Sequence, residues 1–371
     1  MLFKASVIAL CSIWCINSYS QHSFNGNNQM NQNYSEINVN YKNHTAEIKL
    51  AGTLTLPTMA APCPAVVLIP GYGPSDRNAT FAGKQPFKMI ADDFASKGIA
   101  VLRYDKRGVG ESTGDYNNAT SRDFADDVKA GIGYLKTDPN INHAQIGLVG
   151  ISEGGFIAAI VAAESSEVNF VVLLAAAVMS KVDDFVAMSS LQMLADGVSQ
   201  EFIDHDEKLR TQVFTTIKQA YSPEITENKL RQLVNNYLVE LTEAEIKEAE
   251  KTPFAFKATN AEQMIKTFNS TWYRYFLSCD PAEFLKQIRV PVLALNGDLD
   301  WISAPSITFP IMEKAFITGN VKDYTFIEAP HINHMFQVCK TGAIAEYSTI
   351  KEVISPIVLN IISDWIKSRT K

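Results

Sequence analysis

The sequence predicts a doubly wound α/β fold with a mostly parallel sheet, and two observations support this prediction. Short runs rich in Val, Ile and Leu recur along the chain, as expected of parallel strands covered on both faces; they lie at 65–70, 99–105, 145–150, 169–177, 290–297 and 323–329. Between several of these runs, apolar residues are spaced three and four apart, which is typical of amphipathic helices. Strands that alternate with helices favour a parallel sheet with helices on its faces.

The composition is that of an ordinary globular protein and argues against a nucleic-acid partner. The chain has 371 residues, 46% of them hydrophobic and 20% charged, so it can bury a large core. Its formal net charge is −7, and we find no stripe of lysine and arginine to meet a phosphate backbone. A nucleic-acid partner is therefore not expected, whereas a small-molecule partner is compatible with this composition.

The N-terminal residues have the layout of a secretory signal peptide. Residues 1–20 combine a lone lysine, an apolar stretch over 5–16 and small or polar residues before the expected cleavage point. The apolar stretch is too short to span a bilayer permanently. Lipid attachment at Cys11 or Cys15 is less favoured because a bulky residue precedes each cysteine. We therefore expect export to the periplasm or beyond, with a flexible polar leader over 21–33 and no membrane span after cleavage.

The predicted core is interrupted by one long helical segment. From residue 34 the apolar residues alternate, which indicates an antiparallel hairpin before the first parallel strand. Residues 179–286 contain no convincing strand pattern, and their helical stretches carry charged outer faces. Because this excursion is far longer than an ordinary connection, we expect a helical cap over the sheet. The core then comprises residues 34–178 and 287–371.

The last predicted helix lies in the segment SPIVLNIISDWIKSRTK. It places Ile357, Ile361 and Trp365 on one stripe, as an amphipathic helix does. Its last residues are basic, which suits the negative end of a helix dipole.

Three cysteines remain after the predicted signal peptide: Cys63, Cys279 and Cys339. Three thiols allow one disulfide at most, so the fold is not held by a set of bridges. The sequence leaves open whether any two of them pair.

Two segments of the form G-x-S-x-G occur, and their surroundings differ. Ser112, in residues 110–114, follows its strand by several residues, and no apolar helix begins after it. Ser152, in residues 150–154, lies directly between an apolar strand and an apolar helix. That is the context of a nucleophile elbow, although a serine there could instead be a helix N-cap. Ser152 is the candidate nucleophile, and Ser112 is interpreted as part of a structural loop.

A serine nucleophile needs a histidine base and an acid that orients it. In this fold class the chain order is serine, acid, histidine. Outside the predicted cap, only His331 and His334 follow Ser152, and both come after the last predicted strand. Asp298 and Asp300 follow the preceding strand, so either could be the acid. A metal site at the two histidines is disfavoured because no helical pattern places them on one face.

An oxyanion hole would need two backbone N–H donors, and losing one typically costs about 3 kcal/mol in the barrier. The residue after the nucleophile, Glu153, can supply one of them. The loop at 70–77 after the first parallel strand can supply the other, and Tyr72 is the candidate donor there. The alternative is that this loop is only a glycine-rich turn. Arg77 in the same loop is interpreted as a salt-bridge residue rather than a substrate anchor.

An aromatic cluster near the end of the predicted cap has two interpretations. It could line an apolar acyl pocket, or it could be ordinary core, and core is favoured because aromatic clusters are usually core. Its members are Trp272, Tyr273, Tyr275 and Phe276.

The combination of motifs resembles the α/β-hydrolase superfamily of serine hydrolases, near the secreted bacterial esterases and serine-aminopeptidase-like members. The resembling stretches are LAGTLTLP, LIPGYGPSDR, RYDKRGVGESTG, IGLVGISEGG, DPAEFLKQIRVPVLALNGDLD and NHMF, which together span most of residues 45–340. The resemblance implies the α/β-hydrolase fold, with Ser152 as nucleophile, Asp300 as acid and His334 as base. It also implies an oxyanion donor at Tyr72, with no cofactor or metal.

These inferences predict an exported hydrolase of carboxylic esters that acts through an acyl-enzyme. One alternative is a peptidase that cleaves short peptides with the same residues, since the nucleophile alone does not distinguish an ester from an amide. The other is a non-catalytic binding protein on a hydrolase scaffold, because a fold does not dictate function.

Overall fold

The computed structural model of the protein describes residues 33–58 and 62–370. The predicted signal peptide, residues 1–20, lies outside the described residues, as does the predicted leader over 21–33 apart from its last residue.

Eight strands form one mixed sheet, which confirms the predicted fold class. Its spatial order is β1-β2-β4-β3-β5-β6-β7-β8. β1 pairs antiparallel with β2, and β2 antiparallel with β4, whereas all pairs from β4 to β8 are parallel. The strands are β1 Tyr34–Asn43, β2 Ile48–Pro57, β3 Cys63–Ile69, β4 Ala100–Tyr104, β5 Ile141–Ile151, β6 Phe170–Leu174, β7 Val292–Gly297 and β8 Tyr324–Ala329.

Both faces of the central strands are buried, as the continuous apolar runs predicted. Along β3, Ala65, Val67 and Ile69 pack into the core on one face, whereas Val66 and Leu68 pack into the core on the other. Successive side chains of a strand point to opposite faces, so a strand with two buried faces needs an uninterrupted apolar run.

Thirteen helices lie in the described residues. α1 and α13 cover one face of the sheet, while α2, α3 and α11 cover the other. They are α1 Pro86–Ser96, α2 Ser121–Leu135, α3 Glu153–Glu164, α4 Val182–Ala195, α5 Gln200–Lys218, α6 Pro223–Glu240, α7 Glu243–Ala249, α8 Ala261–Phe268, α9 Thr271–Ser278, α10 Pro281–Leu285, α11 Pro305–Gly319, α12 Ile344–Tyr347 and α13 Pro356–Arg369. We call α4–α10, residues 182–285, the helical insertion; several of its helices pack on the same face as α2 and α3.

The predicted stripe of α13 is wrong by one position. Ile357 is 65% exposed, whereas Val358, Ile362 and Ile366 are buried. Trp365 is buried as expected, against Phe170 of β6. In a helix this rich in isoleucine, two neighbouring rows have the same four-residue spacing, so periodicity alone does not select the buried one.

The three cysteines of the described residues are free thiols, so the single disulfide that the sequence allowed is not formed. Cys63 and Cys339 are buried, and burial raises the pKa of both thiols. Within residues 33–58 and 62–370, no helix combines the length and the apolar character that crossing a bilayer requires.

Candidate active site

Ser152 is the single residue between strand β5 and helix α3. Its backbone has φ +56° and ψ −119°, a conformation that non-glycine residues adopt rarely and at a cost. Its N–H donates to Leu174 O at 2.8 Å, and its carbonyl accepts from Ala177 N at 3.1 Å, so strand β6 and the loop after it hold this bend in place. The Ser152 side chain makes no capping hydrogen bond to α3, which leaves the N-cap interpretation without support.

Two glycines allow the chain to turn this tightly. A Cβ on Gly150 would lie 2.1 Å from Gly154 O, and one on Gly154 would lie 2.1 Å from Ile69 O. Both distances are far inside van der Waals contact, so the strand, the bend and the helix can approach each other only without side chains at these positions.

The Ser112 hydroxyl is used in hydrogen bonds that hold a loop in place. Its hydroxyl donates to Asp105 O at 2.7 Å and accepts from Ala51 N at 2.9 Å, which ties the loop after β4 to strand β2. The side chain is buried by these contacts and does not line the cavity beside Ser152.

His334 and Asp300 meet at the carboxyl ends of β8 and β7. His334 Nδ1 lies 3.0 Å from each carboxylate oxygen of Asp300. Asp300 is fully buried, and its Oδ1 also accepts the backbone N–H groups of Ile302 at 3.0 Å and Ser303 at 2.9 Å. The carboxylate is therefore fixed by the loop that carries it, and it in turn orients the imidazole.

The competing aspartate and histidine lie elsewhere. Asp298 Oδ1 accepts the Ile332 N–H at 3.3 Å and so joins the loops after β7 and β8. His331 is exposed, and its backbone has φ +59°. Of the four candidates, the structure brings together Asp300 and His334.

Ser152 and His334 open into one cavity of about 180 Å³. The helical insertion supplies part of its wall through α4 and α9, and the loops after β3, β6, β7 and β8 supply most of the rest. Apolar side chains dominate this lining: Phe81, Phe87, Met179, Phe185, Trp272, Tyr273, Phe276, Ile302, Met335 and Ile354.

The predicted aromatic cluster is divided between the two interpretations. Trp272, Tyr273 and Phe276 are buried members of the core and also line the cavity, which the preference for plain core did not anticipate. Tyr275 packs against the core without lining the cavity.

The loop after β3 lies against Ser152. A Cβ on Gly71 would be 3.2 Å from Ser152 Cβ and 3.8 Å from Ser152 Oγ. The neighbouring Tyr72 lines the cavity, and its ring packs on Trp272 with 4.1 Å between centroids. Glu153 is the first residue of α3, where backbone N–H groups have no intrahelical acceptor.

A buried ion pair lies beside this loop, and the sequence analysis missed it. Lys106 Nζ donates to Gly71 O at 2.7 Å and to Glu153 Oε2 at 3.2 Å. Glu153 Oε1 also accepts from Ser121 Oγ at 2.8 Å and from Trp272 Nε1 at 2.6 Å. Burial lowers the pKa of the Lys106 ammonium, and Glu153 acts in the opposite direction. No local motif marks the pair, because its members are 47 residues apart.

Arg77 forms a salt bridge, as the sequence analysis favoured. Its guanidinium lies 2.6 Å from Asp105 Oδ2 and 2.6 Å from Glu111 Oε2, and it does not line the cavity. Across the described ranges, no group of three or more His, Cys, Asp and Glu side chains is arranged to hold a metal ion.

Comparison with known proteins gives a family match and two partial relatives. A family model described as alpha/beta hydrolase fold matches residues 64–338. Esterase EstD of Thermotoga maritima is 33% identical over 126 residues, which are 34% of this chain and 30% of EstD. Polyketide transferase grgF of a Penicillium species is 33% identical over 94 residues, 25% of this chain and 29% of that protein. The chain thus spans about three tenths of the length of these curated relatives.

Solved structures share the fold at low sequence identity. The alpha/beta hydrolase GrgF from Penicillium has a TM-score of 0.54 at 19% identity, with 91% of this chain and 99% of that chain covered. The Pyrococcus furiosus esterase Pf2001 has a TM-score of 0.53 at 16% identity, with 96% and 100% covered. At these identities the likeness concerns the fold alone.

Proposed function

The chain belongs to the α/β-hydrolase family, and from that premise we propose that it is a serine hydrolase that cleaves carboxylic esters. One observation carries the proposal: His334 and Ser152 line the same apolar cavity. His334 Nδ1 lies 3.0 Å from the buried Asp300 carboxylate, and Ser152 stands at a strained bend. The residues are Ser152 as nucleophile, His334 as base and Asp300 as the group that orients the base.

The proposed reaction has two halves. His334 Nε2 accepts the Ser152 hydroxyl proton as Oγ attacks the ester carbonyl, and the resulting imidazolium is stabilised by Asp300. Collapse of the tetrahedral intermediate breaks the bond to the alkoxy oxygen, which leaves as the alcohol with the proton from His334. Water then attacks the acyl-enzyme with His334 as base, and the acid is released with Ser152 restored.

The backbone N–H groups of Glu153 and Tyr72 are the proposed oxyanion donors. Glu153 follows the nucleophile at the start of α3, where the helix dipole also favours negative charge. Tyr72 belongs to the loop that contacts Ser152 through Gly71.

The cavity lining favours an uncharged acyl group over a peptide. Glu153 is the only carboxylate among the described lining residues, and neither lysine nor arginine occurs there. Both Glu153 oxygens already accept hydrogen bonds from Lys106, Ser121 and Trp272. A charged peptide terminus would therefore be desolvated without a counter-ion, which is costly.

The proposal includes export, which depends on residues 1–20 and is independent of the site. The signal-like layout of these residues supports a periplasmic or extracellular enzyme. Fractionation of the native producer would test this, with a cytoplasmic full-length chain as the contradicting result.

The test is a panel of p-nitrophenyl esters of increasing acyl length, with aminoacyl p-nitroanilides as the peptidase arm. We expect turnover of the esters, loss of turnover in Ser152→Ala, and fluorophosphonate labelling of the wild type only. Ser112→Ala is the matched control, because it removes the other G-x-S-x-G hydroxyl and should keep turnover. Preference for the anilides would favour a peptidase, and a folded, unlabelled wild type would favour a binding protein.

A further inference from the structure

We propose that Lys106 is a positioning residue that aims the oxyanion donor at Tyr72. This inference rests on the proposed function, and it concerns a side chain that does not line the cavity. The side chain of Lys106 is 1% exposed, and its ammonium is directed at the loop that contacts Ser152.

Lys106 acts on Tyr72 through a single peptide unit. Gly71 C=O and Tyr72 N–H belong to the same planar group, so in a trans peptide they point in opposite directions. Lys106 Nζ donates to Gly71 O at 2.7 Å. Gly71 and Tyr72 lie outside the strands and helices, so no sheet ladder fixes this peptide. Anchoring the carbonyl therefore fixes the direction of the Tyr72 N–H.

The same ammonium also contacts the other proposed donor residue. Glu153 Oε2 lies 3.2 Å from Lys106 Nζ, and the Glu153 backbone N–H is the second proposed donor. Ser121 of α2 and Trp272 of α9 complete the hydrogen bonding of this carboxylate. One buried pair thus ties together both residues that would form the oxyanion hole.

The positive charge of Lys106 also strengthens the proposed donor. A hydrogen bond from a cation polarises the Gly71 carbonyl, and the attached Tyr72 N–H becomes a stronger donor. The ammonium also lies 4.3 Å from the centroid of the Phe124 ring, whose face favours a cation. Interactions of this kind are stronger in a buried environment than in water.

The decisive variant is Lys106→Met, which removes the ammonium and keeps an unbranched chain. We expect kcat for the best p-nitrophenyl ester to fall roughly 10- to 100-fold with KM changed less than about threefold, since the donor acts mainly in the transition state. Arg107→Met is the matched control. It breaks the neighbouring buried pair with Asp127, 2.8 Å apart, which lies away from the cavity.

The control variant should lose thermal stability and keep the wild-type kcat. An equal fall in kcat in both variants would overturn the inference. Because Lys106→Met leaves Glu153 buried without its partner, the double variant Lys106→Met/Glu153→Gln is measured beside it. Recovery of the wild-type kcat in the double variant would also overturn the inference, whereas a persistent loss supports it.

A second readout does not depend on ester turnover. Labelling with ¹³C-carbonyl glycine and ¹⁵N-tyrosine selects Gly–Tyr peptides, and the sequence has two: Gly71–Tyr72 and Gly133–Tyr134. Lys106→Met should shift the first cross-peak and leave the second in place. An unshifted first peak overturns the inference even if esters are hydrolysed. A wild type that turns over no ester overturns the proposed function, and the oxyanion role with it, whatever the peaks do.

Discussion

The helices of the insertion and the helices next to Ser152 differ in how their N-termini are held. Five of the seven insertion helices begin with a residue whose side chain accepts a backbone N–H of the first turn; these are Ser199, Ser222, Thr242, Ser270 and Asp280. By contrast, α1, α3 and α11, which follow strands β3, β5 and β7, have no such cap. Local sequence therefore determines where most insertion helices start. Beside the sheet, α2 has a capping box at Thr120, but the starts of α1, α3 and α11 depend on contacts with the rest of the core.

Non-glycine residues with positive φ, which strain the backbone, are also more frequent around Ser152 than in the insertion. We call the loops at the carboxyl ends of β3–β8 the site edge. Six of the nine non-glycine residues with positive φ in the described chain lie there: Ala79, Ala82, Ser152, Ala175, His331 and Phe336. Only Ala220 lies in the insertion. Strained conformations persist only where surrounding structure over-determines them, so the site edge depends on packing that local sequence does not specify.

The largest expected effect is on catalysis at the site edge. His334→Ala removes the proposed base, and we expect kcat/KM for p-nitrophenyl esters to fall about 10⁶-fold, since the residual rate comes from binding and the oxyanion hole alone. His331→Asn is the matched control, three residues away, and its asparagine tolerates the positive φ. Comparable losses in the two variants would contradict the assignment of the base.

The next largest effect is on stability inside the insertion, at its buried charge pair. Arg210 and Asp206 form a salt bridge within α5, and Arg210 also donates to Phe254 O. Arg210→Met leaves a buried carboxylate without its partner, so we expect a loss of about 3–5 kcal/mol in the free energy of unfolding. Arg231→Met, in a surface pair, should cost far less, because exposed ion pairs contribute little to stability. Equal costs by urea denaturation would show that the insertion does not depend on Arg210.

Features whose whole signal lies in one segment of the sequence could be predicted. The apolar runs predicted the parallel strands, and the strand, Ser152 and apolar helix in sequence predicted the bend that the structure shows. Asp298 and Asp300 could not be separated by spacing, because both follow β7 and only the path of the loop directs one of them to His334. Lys106 was missed because its role arises from the approach of distant segments.

Two glycines sharpen the contrast between the regions. Gly154→Ala puts a Cβ against Ile69 O at the site edge, whereas Gly197→Ala, in the insertion at φ +83°, meets no atom within 4 Å. We expect the first to cost about 1–3 kcal/mol through overpacking and to reduce activity. The second should cost about 1–2 kcal/mol through the left-handed conformation alone, with activity kept. Urea denaturation and ester turnover are measured on both variants. A loss of activity in Gly197→Ala would contradict the expected difference between the site edge and the insertion.

The smallest expected effect is at a local cap of the insertion, and it is dependent on pH. Glu245 accepts the Thr242 N–H and hydroxyl at the start of α7, and it pairs with His205. These contacts, the backbone N–H first, lower the pKa of Glu245 from 4.5 to about 2. A carboxyl whose pKa is lowered by folding stabilises the protein above its ordinary pKa, and this contribution is lost as the pH falls towards the folded-state value.

Glu245→Gln should therefore lower stability by less than about 1 kcal/mol at pH 7, and the difference in stability from wild type should close between about pH 4.5 and pH 2. Thermal unfolding of both proteins across that range is the measurement, with Glu243→Gln in the same first turn as the control for general loss of charge. A gap that is independent of pH would mean that the cap does not act through the carboxylate.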